Sequence, residues 1–223
     1  YKGMLKDVLR YYYYQRQGDL DENYAGECAR NDVTPDDYTA SFESDSSKTA
    51  DVSKGWYDAG DLGKYVNVGS IAVSDLLWAY ETYPEQFSDG MSDIPESGNG
   101  VSDILDEARW EIEWILSMQD KSSGGFYPRV QGDGKVREIK DGNGCTTDDT
   151  ACAAAALSEA YISYRDIDDE FADKCLNAAR EAWEFLERNP DDIVAADVYE
   201  VYDDSMDRLW AAAALFRATN DNK

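Results

Sequence analysis

The sequence predicts an all-α fold built from stacked helical hairpins. Six segments carry apolar residues at the spacing of amphipathic helices, and turn-rich stretches separate them. Alanine-rich stretches at 151–160 and 211–214 indicate that helices approach one another closely there. Because each hairpin leaves an apolar face uncovered, a row of such hairpins depends on its neighbours.

The first three helices are predicted over residues 2–16, about 64–82 and 101–119. Each has an apolar stripe on one face: Met4, Leu5, Val8, Leu9 and Tyr12 in the first, Val68, Ile71, Ala72, Leu76 and Tyr80 in the second, and Val101, Ile104, Leu105, Ala108, Ile112, Ile115 and Leu116 in the third. Ser102 is a residue type that caps helix N-termini, so we expect it to begin the third helix.

Three further helices are predicted over about 147–165, 168–188 and 204–219. The middle one must end before Pro190, because the residue that precedes a proline disfavours helical geometry. Polar and turn-forming residues predict irregular loops over 17–55 and 84–100, and the glycine-rich segment 122–136 predicts a loop with short strands.

Composition excludes several classes of function. The 223 residues carry 21 Lys and Arg against 47 Asp and Glu, a formal net charge of −26. Such a charge repels phosphate backbones and anionic lipids, so we expect neither nucleic acid nor a membrane surface as partner. The chain has no histidine, which removes Ser-His-Asp catalysis and zinc sites built on imidazole. Acid–base chemistry near neutral pH must therefore depend mainly on carboxylates.

Four cysteines stand at positions 28, 145, 152 and 175, and none forms a CxxC pair. Cys152 and Cys175 fall within alanine-rich helical patterns and are predicted to be buried as small apolar residues. No apolar run approaches the roughly 20 residues that a membrane-spanning helix requires.

The stretch GWYDAGDLGKY at 55–65 places two carboxylates, Asp58 and Asp61, three residues apart. If the chain enters a helix here, this spacing puts both side chains on one side. Trp56 and Tyr57 then suggest flat surfaces for a sugar ring, and two carboxylates acting on one water suit glycoside hydrolysis. The alternative is that both aspartates only cap the following helix. An EF-hand-like calcium loop is a poorer match, because the alternating ligand pattern is missing.

Longer blocks of the chain resemble glycoside hydrolase family 9, the cellulase family. The block KGWYDAGDLGKYVNVGSIAV (54–73) resembles the W-Y-D-A-G-D signature of this family, and IPESGNGVSDILDEARWEIEWILSMQ (94–119) resembles its N-G-x-x-D-x-L-D-E-x-x-W segment. GGFYPRV (124–130) and DRLWAAAALFRATND (207–221) are similar to two later blocks. The four blocks occur in the order of the family and span nearly the whole chain.

The resemblance implies an (α/α)6 barrel, of whose twelve helices about half are present here. It implies a secreted enzyme that hydrolyses β-1,4-glucosidic bonds in cellulose or related β-glucans with inversion. Carried over to this sequence, Asp61 is the general base and Asp58 helps to hold the attacking water. The family's proton-donor Glu lies near the C-terminal end of the domain, and no residue of this chain matches it. We therefore expect the remaining half of the barrel, in the same or a separate chain, or a second copy as partner.

The resemblance also bears on substrate contacts. Phe126 and Tyr127 lie in a glycine-rich loop at the expected edge of the cleft and are predicted as sugar platforms. Arg129 is a candidate to bind sugar hydroxyls, with a surface role as the alternative. Pro128 stands where the family often has histidine, and Cys28 lies near a zinc site that many members have but that lacks its histidines here.

No cofactor is expected to be required, although family members often bind calcium beside the helix that matches 207–221. Asp203, Asp204 and Asp207 supply the oxygen ligands that calcium prefers. Capping of the helix by these acids is the alternative. Two other functions stay open: an exo-acting relative that uses cello-oligosaccharides or chitosan-type sugars, and a non-catalytic carbohydrate-binding or structural fragment.

Overall fold

The computed structural model describes residues 2–132, 136–142, 144–194, 199 and 201–221. Its α-helices are α1 (Lys2–Gln15), α2 (Glu22–Ala25), α3 (Val66–Thr82), α4 (Asp103–Ser117), α5 (Thr147–Tyr164), α6 (Asp169–Arg188) and α7 (Ser205–Thr219). Short 3-10 helices cover Gly26–Cys28, Pro35–Thr39 and Pro84–Gln86. All six predicted helices are confirmed, and α2 is an additional single turn within the segment predicted as irregular.

Helix α5 is the centre of the molecule. It packs against α3, α6 and α7, while α4 packs against α3 and α1 against α4. Its small alanine side chains allow the neighbouring helices to approach closely. Six alanines of α5 are fully buried: Ala151, Ala153, Ala154, Ala155, Ala156 and Ala160. The helices therefore form two layers of consecutive hairpins, as the predicted half barrel requires.

The helix termini are held mainly by long-range contacts. Asp149 at the start of α5 accepts a hydrogen bond from the backbone N–H of Asn67 in the first turn of α3. Ser102 is the N-cap residue of α4, as predicted, but its hydroxyl donates to the carbonyl of Phe87 instead of capping the helix. Asp168 caps α6 through the N–H of Phe171. Packing and distant partners thus fix these helix ends together.

A small sheet joins the loops at one end of the helices. Its strands are β1 (Ala40–Phe42), β2 (Thr49–Ala50), β3 (Lys64–Tyr65), β4 (Arg129–Gln131) and β5 (Glu138–Ile139), in the order β2-β1-β5-β4-β3. β1 and β5 are parallel and the other pairs are antiparallel. The sequence predicted strands only within 122–136, because strands of two or three residues carry no alternating pattern. The sheet fixes β3, which leads from the aspartate motif into α3.

Two helices expose large apolar side chains, Ile71 and Trp78 from α3 and Met206 and Leu209 from α7, and Ile71 and Trp78 line one concave surface together with Trp210. We call this surface the open face. Exposed apolar area of this kind marks a surface that another part of a protein covers. No described helix combines the length and the apolar character that crossing a bilayer requires.

Cys152 and Cys175 are buried, as the alanine-rich patterns predicted. Among the described residues, all four cysteines are free thiols. Cys152 and Cys175 therefore contribute to packing.

Candidate active site

Residues 58–63 form a closed turn that carries both aspartates. The N–H of Asp58 donates to the carbonyl of Gly63 at 2.8 Å, and the N–H of Leu62 donates to the carbonyl of Ala59 at 3.0 Å. Leu62 adopts the left-handed conformation with φ of 60°. The N–H of Gly63 donates to Asp61 Oδ1 at 3.0 Å. The turn therefore presents Asp61 to solvent and leaves Asp58 half-buried.

Each aspartate receives a phenol hydroxyl from outside the turn. The hydroxyl of Tyr199 donates to Asp58 Oδ2 at 2.6 Å, and the hydroxyl of Tyr65 donates to Asp61 Oδ2 at 3.3 Å. Tyr65 also accepts from the side-chain amide of Gln131 at 2.7 Å. The hydrogen bond to Asp58 raises the pKa of Tyr199 to about 12, since it would be lost on ionisation. Two tyrosines thus orient the two carboxylates.

The hypothesis that the two aspartates only cap the next helix is wrong. The N-cap residue of α3 is Tyr65, and no side chain caps the helix from that position. The acceptor for the first turn of α3 comes from Asp149, far along the chain. The Asp58 and Asp61 side chains instead border concave surfaces.

Trp56 and Tyr57 hold the chain just before the turn. The indole N–H of Trp56 donates to Glu107 Oε1 at 2.8 Å, and the hydroxyl of Tyr57 lies 2.7 Å from Thr34 Oγ1. Their exposed fractions are only 7% and 4%. Both rings are packed into the protein and also line a cavity that Asp58 borders, so their role as flat surfaces for a sugar stays a prediction. Burial also raises the pKa of Tyr57 to about 12.

A cavity of about 200 Å³ lies between α1, α3 and the start of the turn, with Asp58 at its edge. Glu111 forms part of its wall and accepts a hydrogen bond from the N–H of Trp56 at 2.6 Å. Burial raises the pKa of Glu111 to about 8, because the ionised form loses its hydration. Gly69 lies opposite this carboxyl, and a Cβ there would lie 2.2 Å from Glu111 Oε1, so a larger residue would have to displace the Glu111 side chain.

Three charged side chains next to the 58–63 turn are buried. Arg137 Nε donates to Asp37 Oδ1 at 2.5 Å, and Lys64 Nζ lies 2.7 Å from Asp37 Oδ2. All three side chains have an exposed fraction of 0%. Burial lowers the pKa of Lys64 to about 8, an effect that the charge of Asp37 opposes. We call these residues the buried triad.

A second concave surface, of about 590 Å³, opens beside Asp61. It is lined by Gly60, Asp61, Leu62, Gln131, Gly132, Glu138 and Lys140. Asp61 therefore borders an open groove, and Asp58, three residues before it in the same turn, borders the cavity between α1 and α3.

The aromatic residues of the glycine-rich loop have different positions. Phe126 is fully buried and belongs to the core, so the prediction that it forms a sugar platform is wrong. Tyr127 is half-buried, with its ring 5.4 Å from that of Phe42 in an edge contact. Arg129 lies on β4 directly opposite Tyr65, in register with the strand that follows the turn. Tyr127 and Arg129 stay predictions as substrate contacts.

The three aspartates predicted to bind calcium have partners of their own. Asp203 Oδ1 accepts from the hydroxyl of Ser205 at 2.5 Å, and Asp204 Oδ1 accepts from Arg208 Nε at 2.7 Å. Burial raises the pKa of Asp207. Within the described ranges, no three Asp, Glu, Cys or His side chains are placed to hold one metal ion. These residues as arranged do not form a ligand set, and calcium binding stays a prediction.

Sequence reasoning missed Tyr65, Tyr199, Arg137 and Gln131. Tyr65 was inside the quoted motif, but an aromatic residue at a helix start carries no signal of its own. Tyr199 lies 141 residues from its partner Asp58, and Arg137 lies 75 residues from Leu62. Such pairings are visible only after folding.

Comparison with known proteins finds a match to the model of glycosyl hydrolase family 9 over residues 1–223. Endoglucanase D of Acetivibrio thermocellus is 34% identical over 193 residues, which cover 78% of this chain and 30% of that protein. A cellodextrinase of Butyrivibrio fibrisolvens is 31% identical over 244 residues, which cover 100% of this chain and 44% of that protein.

Solved structures give the same result. The crystal structure of a metagenome-derived glycoside hydrolase family 9 endoglucanase superposes with a TM-score of 0.89 and 33% identity, covering 99% of this chain and 43% of that chain. This chain thus spans less than half the length of these proteins.

Proposed function

Because the chain belongs to glycosyl hydrolase family 9 and forms part of an (α/α)6 barrel, we propose that the complete protein hydrolyses β-1,4-glucosidic bonds in cellulose or a related β-glucan with inversion. The observation that supports this proposal most strongly is the closed turn with its two differently placed carboxylates. Asp58 is half-buried and bonded to Tyr199, while Asp61 is exposed at the groove.

In the proposed reaction, Asp61 accepts a proton from a water molecule as the water oxygen attacks the anomeric carbon. Asp58, oriented by Tyr199, accepts the second hydrogen bond of the same water. The glycosidic bond breaks, and a carboxylic acid on the other side of the sugar protonates the leaving oxygen. In inverting glycosidases the two carboxyl groups lie about 6.5–9.5 Å apart to leave room for the water. We propose that this acid is a Glu outside the 223 residues.

We propose that the open face receives the remaining half of the barrel, from the same or a separate chain, or a second copy. Glu159 supports this, because it lies on the same surface with an exposed fraction of 4%. The indole N–H groups of Trp78 and Trp210 both donate to its Oε1, while its Oε2 is buried without a hydrogen-bond partner among the described residues. The Ser74 hydroxyl lies beside this carboxyl, and we propose that a donor from the remaining half of the barrel completes its hydrogen bonding.

Exo-action on cello-oligosaccharides is a second candidate, and the cellodextrinase among the relatives favours it.

We also propose that the protein acts outside the cell, since cellulose is an insoluble polymer and cannot reach an enzyme inside the cell.

The test is Asp61→Ala in the complete catalytic domain, assayed on a soluble β-glucan. Removal of a general base typically costs about 10²–10⁴-fold, and we expect turnover to fall about 10³-fold or more. Asp45→Ala is the matched control, because Asp45 makes the same bond to an N–H two residues on, in the hairpin between β1 and β2. Activity that survives in Asp61→Ala would show that the base is assigned to the wrong residue. Hydrolysis by the isolated 223 residues would place the acid within them.

A further inference from the structure

We propose that Arg137 is a positioning residue for the general base, which it orients through the peptide unit between Leu62 and Gly63. The inference rests on the proposed function, because it assigns to Arg137 an effect on the reaction only if Asp61 takes part in it.

The guanidinium of Arg137 makes three bonds in three directions. One terminal nitrogen donates to the carbonyl of Leu62 at 2.8 Å, the other donates to the carbonyl of Gly132 at 2.9 Å, and Nε donates to Asp37. The residue is only 2% exposed. A planar guanidinium with all its partners fixed has a single orientation, and this makes it a rigid support for the turn.

The hydrogen bond from Arg137 to Leu62 is linked to Asp61 by a single peptide unit. The carbonyl that accepts from Arg137 belongs to the same peptide plane as the N–H of Gly63, and that N–H donates to Asp61 Oδ1 at 3.0 Å. Since a peptide unit is planar, its carbonyl cannot be held in place without also fixing the direction of its N–H. Arg137 therefore helps to set where the carboxylate of Asp61 points, through Oδ1, while the hydroxyl of Tyr65 acts on Oδ2.

The bonds within the turn cannot do this alone. Those between Asp58 and Gly63 and between Leu62 and Ala59 join residues of the turn to each other, so they fix its shape but not its orientation in the protein. Leu62 is left-handed, a conformation that costs free energy for a residue with a Cβ. An external partner for its carbonyl offsets that cost.

Arg137 is held in turn by buried residues. Asp37 accepts from Arg137 and lies 2.7 Å from Lys64, while the N–H of Val52 donates to the carbonyl of Asp37. Lys64 also donates to the carbonyls of Val52 and Lys54 at 2.6 and 2.7 Å. Away from water, these charged hydrogen bonds are stronger than exposed ones. Lysine cannot replace Arg137, because its ammonium does not present a planar fork.

Arg208 provides a matched control. Its Nε also donates to an aspartate, Asp204, and its two terminal nitrogens donate to the backbone carbonyls of Leu186 and Asn189. The bonding pattern is the same, but Arg208 lies on α7 and supports no part of the turn. Arg208→Lys therefore changes the same pattern of bonds away from the site, in a less buried position: the Arg208 side chain is 21% exposed and that of Arg137 0%.

The experiment compares Arg137→Lys, Arg137→Gln, Arg208→Lys and Asp61→Ala in the complete catalytic domain, with kcat and KM on a soluble cello-oligosaccharide and Tm for each. Misplacement of a reacting group by about 1 Å can cost 10²-fold. We expect kcat of Arg137→Lys to fall about 10–100-fold with KM changed less than about 3-fold. Arg208→Lys is expected to keep kcat within about 2-fold even if Tm falls equally. In Arg137→Gln the shorter side chain ends where Nε now lies, so it can donate to Asp37 but cannot reach the Leu62 carbonyl, and it is expected to lose at least as much kcat as Arg137→Lys.

Unchanged kcat in folded Arg137→Lys would overturn the proposal, and so would equal losses of kcat in Arg137→Lys and Arg208→Lys. If every Arg137 variant fails to fold while Arg208→Lys folds, the residue is a requirement of the fold and the positioning role is also rejected. Full activity in Asp61→Ala would refute the proposed function separately, whatever the Arg137 variants show.

Discussion

The surroundings of the 58–63 turn and the centre of α5 are both buried, but different forces hold them. Behind the turn, Asp37, Lys64 and Arg137 are inaccessible to water and each has partners at defined distances. In α5, consecutive alanines at 153–156 are equally inaccessible and have apolar side chains. The first region depends on directional pairing of charges, whereas the second depends on how closely backbones approach.

The difference explains why the charged region near the turn, and not the alanine region, can orient a carboxylate. Apolar packing fixes the distance between two helices, but it is non-directional and does not orient a polar group. A buried ion pair contributes little net stability compared with apolar packing, yet it is severely disrupted when one partner is removed. We infer that the polar region serves to orient the turn and the alanine region serves to hold the helices. Substitutions in the two regions should therefore have different consequences.

The largest expected effect on stability comes from Lys64→Met. The substitution leaves the carbonyls of Val52 and Lys54 without their donor and removes one of the two cations at Asp37. Breaking a buried pair typically costs about 3–5 kcal/mol, and we expect about 3 kcal/mol because Arg137 remains. The measurement is the free energy of unfolding from urea denaturation.

Lys6→Met is the control for this experiment, because Lys6 pairs with Asp93 at the surface, with an exposed fraction of 39%. Such a pair contributes about 0–1 kcal/mol. Equal losses in the two variants would show that the buried triad is no more important to stability than a surface pair.

The next effect tests the alanine region with Ala155→Leu. A larger side chain at this fully buried position must push α5 away from its neighbours, and overpacking of this kind costs about 1–3 kcal/mol. We expect a lower Tm with kcat of the folded enzyme unchanged. Asn177→Leu, at an exposed position of α6, places the same side chain in water and should stay within about 0.5 kcal/mol. A large fall in kcat for Ala155→Leu would remove the distinction between the two regions.

The last prediction is a pH dependence that originates at Glu111. Its pKa is raised from 4.5 to about 8 in the folded protein, so between these values the folded state holds a proton that the unfolded state has lost. The contribution of this proton to stability is complete below about pH 4.5 and is lost as pH rises to 8. Glu111→Gln cannot lose a proton and should gain stability relative to the wild type from pH 5 to pH 8.

We expect the free energy of unfolding of Glu111→Gln relative to wild type to rise by about 1.4 kcal/mol for each pH unit in this interval, and the difference in Tm therefore to rise by about 3–6 °C per pH unit. Thermal unfolding at pH 5, 6, 7 and 8 measures it. The pKa of Lys64 is lowered from 10.5 to about 8, so its titration makes stability rise with pH. This opposite effect begins only at about pH 8, at the upper end of the interval. Glu187→Gln, exposed on α6, is the control. A constant difference across the interval would show that Glu111 is ionised when folded.

The helices were predictable because their signal is local. The apolar stripe of 101–119 repeats within two turns of one helix, and α4 extends over Asp103–Ser117 as that pattern indicates. Phe126 shows the limit of the same reasoning. Its glycine-rich surroundings suggested an exposed loop, but its N–H donates to Thr150 Oγ1 and the ring enters the core. Glycines on either side of a residue do not determine the direction of its side chain.

By itself, the sequence determined the helices and indicated that acid–base chemistry depends mainly on carboxylates, with Asp58 and Asp61 as the predicted pair. It did so because the helical period and the absence of histidine are properties of short stretches and of composition. Only the tertiary structure decided that Tyr199 meets Asp58 and that Arg137 supports Leu62, across 141 and 75 residues of chain. Hydrogen bonds are directional and short, so their partners exist only after packing has brought distant segments together.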